Sequence, residues 1–88
     1  MTGKLEHRKM RLVKIQKFLD EKGWDHQYTE EDGCGSIDLI YRGVSYHIWE
    51  FNDGGVWGAE TNVRNAGRPE DITDNYEEFI LGVLESWR

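Results

Sequence analysis

The sequence has one cysteine, Cys34, and one proline, Pro69. It contains no apolar run approaching the roughly 20 residues that a membrane-crossing helix needs. A lone thiol closes no intramolecular disulfide and builds no structural zinc site, so the fold is expected to stand on packing alone. The first eight residues, Met1 to Arg8, lack the apolar stretch of a secretory leader, which points to a cytoplasmic protein with no membrane association. Positive charge is scarce: 11 Lys and Arg stand against 17 Asp and Glu, a formal net charge of -6. That balance suits a soluble protein and disfavours nucleic-acid binding through net charge. Internal repeats and low-complexity segments are absent as well.

Apolar residues are sufficient for one core. They number 33 of 88, among them 4 Trp, 4 Tyr and 3 Phe, which suits a single domain. Within residues 4–22, Leu5, Leu12, Ile15, Phe18 and Leu19 form a helical stripe flanked by Met10 and Val13, and Gly23 follows as a natural stop. Arg11, Lys14 and Lys17 fall on the outward side of that helix. Near the C-terminus, Ile72, Tyr76, Phe79, Ile80, Val83, Leu84 and Trp87 repeat at helical spacing and predict a second helix over residues 70–87. Pro69 marks its start, Asp71 and Asp74 are candidate caps, and Glu77 stands three after Asp74 in capping-box spacing.

Between the helices, residues 24–29, 36–41, 44–51 and 56–63 alternate with period two and are separated by turn residues, the pattern of an antiparallel meander. The connections are expected at residues 30–35, at the two-residue Arg42-Gly43, and at residues 52–55. These lengths pair Ile37 with Ile48 and Tyr28, and place Trp57, Ala59, Thr61 and Val63 beside Glu50, Ile48, Tyr46 and Val44. The bulky side chains then share one face. The expected fold is α+β, a two-layer α-β-β-β-β-α sandwich in which both helices pack on one face of a four-stranded sheet. Its core is expected to hold Leu12, Ile15, Leu19, Leu39, Tyr46, Ile48, Phe79, Ile80, Val83 and Leu84.

Function would sit on the other, open face. There the deduced register sets His47 between Asp38 and Glu60, a surrounding that favours the imidazolium. Such a trio serves a pH switch, acid/base chemistry or metal ligation. It serves equally as a cross-strand charge pair contributing roughly 0.2 to 1 kcal/mol. At one end of the same face Trp49, Phe51 and Val56 make an aromatic and apolar patch near Cys34, with Gly58 expected opposite Trp49. Exposed aromatics on a polar sheet are an interaction signature.

Charge is unevenly distributed: residues 1–22 carry 7 basic and 3 acidic side chains, whereas residues 23–88 carry 4 basic and 14 acidic. A basic helix opening an α-sheet-α domain is similar in outline to a double-stranded-RNA-binding domain, which implies RNA contact through helix one. The likeness is topological. This sheet has four strands, and residues 70–87 are acidic where that family carries basic phosphate contacts. Arg64 and Arg68 bracket the start of the second helix and form a candidate anion site. No sequence feature supplies a nucleophile with its base, so no catalytic residue, metal or cofactor is expected.

The leading expectation is a non-catalytic protein-interaction module. It would bind a protein partner, or pair as a homodimer, through Trp49, Phe51 and Val56 beside Asp38, His47 and Glu60. The alternative is an acidic inhibitor or immunity-type protein that masks a basic partner, with RNA binding third.

Overall fold

The computed structural model describes residues 11–87; Leu5 and Met10 of the expected helical stripe lie outside the described residues. In chain order the elements are α1 (Val13–Lys22), β1 (His26–Glu31), β2 (Cys34–Tyr41), β3 (Val44–Asp53), β4 (Val56–Thr61), β5 (Glu70–Ile72) and α2 (Tyr76–Glu85). The strands form a single antiparallel sheet in sequence order, and both helices contribute to one core on one of its faces. The α+β sandwich is therefore present, with a fifth strand.

Three tight turns set the meander. Asp32-Gly33, Arg42-Gly43 and Gly54-Gly55 each place both central residues at positive φ, the conformation whose twist matches paired strands. The first and third connections are thus two residues long, shorter than expected, and β1, β2 and β3 extend into them. In the first hairpin the pairing is unaffected: Tyr28 faces Ile37 and His26 faces Leu39. The second also keeps its register, with Ile37 opposite Ile48 and Asp38 opposite His47. In the third the tighter turn moves the register by two, setting Ala59 opposite Glu50 and Thr61 opposite Ile48. An even slip leaves every side chain on its expected face but changes its neighbours.

The expected helix over residues 70–87 divides. Glu70–Ile72 pairs antiparallel with β4, Ala59 facing Ile72 and Thr61 facing Glu70, and the helix begins only at Tyr76. Asn75, at φ 50, turns the chain between the two. An unpaired β4 edge would leave a row of backbone donors and acceptors open, and the short β5 covers it. The expected caps Asp71 and Asp74 do not cap α2. Glu77 instead reaches across to α1, where its Oε2 accepts from the backbone N–H groups of Lys14 at 2.9 Å and Ile15 at 3.3 Å. Those are donors that the first turn of a helix leaves free.

The buried core comprises Leu12, Ile15, Leu19, Ile37, Leu39, Ile48, Ala59, Val63, Ile80 and Leu84. Of the expected core, Tyr46 and Val83 pack only partly against it. Phe79 lies outside, 39% exposed, with the Arg64 guanidinium 5.1 Å from its ring centre. One end is closed by aromatic rings: Trp87 lies 4.6 Å from both Tyr41 and Tyr46 and 5.9 Å from Trp24.

Among these apolar groups lies a carboxylate. Glu50 points from β3 into the helical side, with 2% of its side chain exposed. The Arg11 guanidinium grips it with two hydrogen bonds, Nε to Oε1 at 2.9 Å and Nη2 to Oε2 at 3.0 Å. The Gly35 N–H donates to Oε1 at 2.9 Å and the Tyr76 hydroxyl to Oε2 at 2.5 Å. The Trp57 ring lies against the guanidinium, 4.1 Å from centre to Cζ. Burial acts to raise the Glu50 pKa, but donation from Arg11, Tyr76 and Gly35 outweighs it and holds the carboxyl below its ordinary value. Tyr76 is pushed up to about 12 by burial and by its bond to Glu50.

Glu50→Gln should accordingly cost about 3 kcal/mol, the low end for a broken buried pair because Arg11 remains about one-third exposed. The sign of its pH dependence follows from the depressed folded pKa. The contribution is present above the unfolded carboxylate value of about 4.3 and is lost as pH falls through the folded one. Denaturant titrations should show the gap between wild type and variant at neutral pH closing in acid; a gap independent of pH would contradict the assignment.

Candidate functional site

Alternation along the strands sends Gln27, Asp38, Ile40, Ser45, His47, Trp49, Phe51, Val56 and Glu60 to the face opposite α1 and α2, with Asp25 beside them just before β1. The centre of this face is a pair of rings in tilted contact. The His47 and Trp49 rings lie 4.2 Å apart at 34°, two residues apart on β3 and so on the same side of the sheet. Each ring is held by one carboxylate: Trp49 Nε1 donates to Asp38 Oδ1 at 3.0 Å, and His47 Nε2 meets Glu60 Oε2 at 3.2 Å.

The expected trio Asp38, His47 and Glu60 shares this centre with Trp49 from the expected aromatic patch, and the partnerships differ from those read in the sequence. Asp38 stands opposite His47 yet bonds the indole. Glu60 stands opposite Trp49 and reaches His47 diagonally, because of the two-residue slip of β4. The same slip places Gly58 opposite Phe51, not Trp49. A Cβ at Gly58 would come within 2.6 Å of Phe51 Cζ and 2.8 Å of the Ile72 carbonyl oxygen, so the ring that lies over bare backbone is that of Phe51. The expected patch therefore divides: Phe51 is half-buried over Gly58, Val56 is exposed opposite Asp53 at the hairpin tip, and Trp49 leans onto His47.

Beside Trp49 a trough of about 420 Å³ opens across β1, β2 and β3, lined by Asp25, Gln27, Asp38, Ile40, Ser45 and His47. Ile40 is 48% exposed and Trp49 42%. Strand alternation puts Gln27, Ile40 and Ser45 on this face, and their gathering with Asp25 around Trp49 depends on how the indole leans. At the far side of His47 the β3–β4 ladder ends, and side chains continue it. Thr61 Oγ1 donates to the His47 carbonyl at 2.6 Å, while the Asn62 amide accepts from the His47 N–H at 2.8 Å and donates to the Ala66 carbonyl at 2.9 Å. This backbone clamp fixes the strand that carries the two rings.

Arg64 and Arg68 do not open onto a helix N-terminus, since residues 70–72 are a strand. The Arg64 guanidinium instead grips Glu70 with two bonds, 2.8 and 2.6 Å, which raises the Arg64 pKa and lowers that of Glu70. Cys34, half-buried, begins β2 opposite Glu31. Among the described residues no three His, Cys, Asp or Glu side chains gather to hold a metal ion, and no helix is long and apolar enough to cross a membrane.

Two substitutions on this face should separate packing from surface. Gly58→Ala forces Phe51 or the β5 backbone to move and should cost about 1 to 3 kcal/mol, as overpacking does. Trp49→Ala removes a half-exposed ring with one surface hydrogen bond and should cost under about 1 kcal/mol. Thermal or urea unfolding of the two variants checks the order; a larger loss at Trp49 than at Gly58 would contradict the register.

Comparison with protein-family models, with curated proteins and with solved structures gave no match to this chain.

Proposed function

We propose that the chain is a non-catalytic protein-interaction module whose open sheet face receives a protein partner. The observation that carries the reading is Trp49: a large aromatic side chain, 42% exposed, yet held in place by Asp38 and by its tilted ring contact with His47. An anchor ordered before binding loses little conformational freedom on docking, which is why rigid aromatics dominate binding energy at protein interfaces. The neighbouring trough, with the exposed Ile40 in its lining, extends the apolar contact beside it.

RNA contact through the first helix has less support. Arg11 is committed to Glu50, and Lys14 is paired with Glu78 across the two helices, which leaves Lys17 alone of the three basic residues without a salt bridge among the described residues. An acid/base role for His47 would require a substrate at a ring whose Nε2 is engaged by Glu60 and whose face is covered by Trp49.

The test uses the immobilised chain to capture a partner from its native cell, followed by binding and hydrogen-exchange measurements on the purified complex. Trp49→Ala should weaken binding about tenfold or more, in line with loss of an interface anchor, with protection confined to β2, β3 and their neighbours on the open face. Undiminished affinity, or protection on α1 and α2, would overturn the proposal.

A further inference from the structure

We infer that the surface received by the open face is a basic protein surface, one that presents an arginine or lysine side chain to the trough beside Trp49; this rests on that face being the docking face. None of the five strands contains a lysine or arginine. Acidic residues, by contrast, recur at their open-face positions: Glu31, Asp38, Asp53, Glu60 and Asp71, with Asp25 just before β1.

The two faces differ in how this charge is answered. On the helical side, cations from outside the sheet meet two of its three carboxylates: Arg11 grips Glu50 and Arg64 grips Glu70, while Glu30 accepts from the Tyr28 hydroxyl. On the open side, the single ion-pair partner among the described residues is the His47 ring, bound to Glu60. Asp38 receives one neutral indole N–H at Oδ1, and its Oδ2 takes no hydrogen bond from the described residues. Carboxylates that no lysine or arginine among the described residues meets, at the rim of an exposed indole, are the surroundings that a guanidinium or ammonium group prefers. The cation lies against the ring while its N–H groups donate to Asp38 and Asp25, and its aliphatic stem covers Ile40. A second copy of the chain would set carboxylates against carboxylates, and a phosphate-bearing surface would meet the same repulsion.

A blocked hexa-arginine peptide is a suitable probe, titrated into isotope-labelled protein and followed by amide and indole chemical shifts, with the neutral isostere hexa-citrulline as control. Saturable shifts should concentrate at the Trp49 indole and at the amides of Asp38, Ser45 and His47. The paired substitution Asp25→Asn with Asp38→Asn should weaken binding about fivefold or more, whereas Glu85→Gln, exposed on α2, should leave it unchanged. Shifts spread evenly over the acidic surface or centred on the helices would overturn the inference. So would equal binding by the citrulline peptide, undiminished binding by the paired variant, or open-face shifts that grow with protein concentration alone and mark a second copy as the occupant. If these results fail while a captured partner still depends on Trp49, the docking face stands and only its charge preference falls.

Discussion

The ion pair of Arg11 with Glu50 organises the molecule. A carboxylate on the covered face of a sheet is costly unless its lone pairs are met, and here they are met from three directions. Arg11 comes from the residues leading into α1, Tyr76 from the first turn of α2, and Gly35 from the start of β2. One side chain of the sheet thus holds both helices. The approach of Arg11 is close enough that residue 35 has no room for a side chain: a Cβ there would stand 2.8 Å from Arg11 Cβ and 2.9 Å from the Tyr28 ring. Glu77 adds a second tie between the helices by accepting from the first turn of α1.

Placing both helices on one side has a consequence for the other. Among the described residues, the cations that pair with the sheet's acids do so on the helical side or in the loop beside β5, and the open-face carboxylates meet only His47 and an indole N–H. Rigidity there comes from the sheet, whose β3 is paired on both sides and clamped by Thr61 and Asn62 where the ladder ends. An ordered aromatic pair on a firm strand, surrounded by unanswered negative charge, is what the proposed recognition of a basic protein surface draws on.

Much of this was legible in the sequence because it is local. Period-two alternation separates Asp38, His47, Trp49 and Glu60 from Leu39, Ile48 and Ala59, and a slip by two residues cannot mix the sets. The Arg42-Gly43 turn carries its own register. Asp32-Gly33 and Gly54-Gly55 are also hairpin signals; a longer loop at the first leaves the pairing of β1 unchanged, whereas one at the second displaces Glu60 and Gly58 by two positions. The strand at Glu70–Ile72 was hidden for a different reason: the four-residue spacing of Ile72, Tyr76 and Ile80 fits a helix, and only the distant β4 edge makes residue 72 extended. Glu50 likewise depends on a partner 39 residues away. The sequence places Glu50 only through its strand pairing, and Arg11, the cation that meets it, reads there as part of the outward side of the first helix.

Among the described residues, Arg11 and Arg64 meet carboxylates on the helical side of the sheet, and no lysine or arginine meets one on the open side. Near-surface electrostatic potentials from the relaxation of backbone and indole protons by a cationic and an anionic nitroxide of the same size measure this in the free protein. The protons of His47 and Trp49, and the Trp49 indole N–H above all, should report a clearly more negative potential than the amides of α1 and of α2 near Glu78. Equal potentials on the two sides, or a more negative helical side, would contradict this division of charge between the faces.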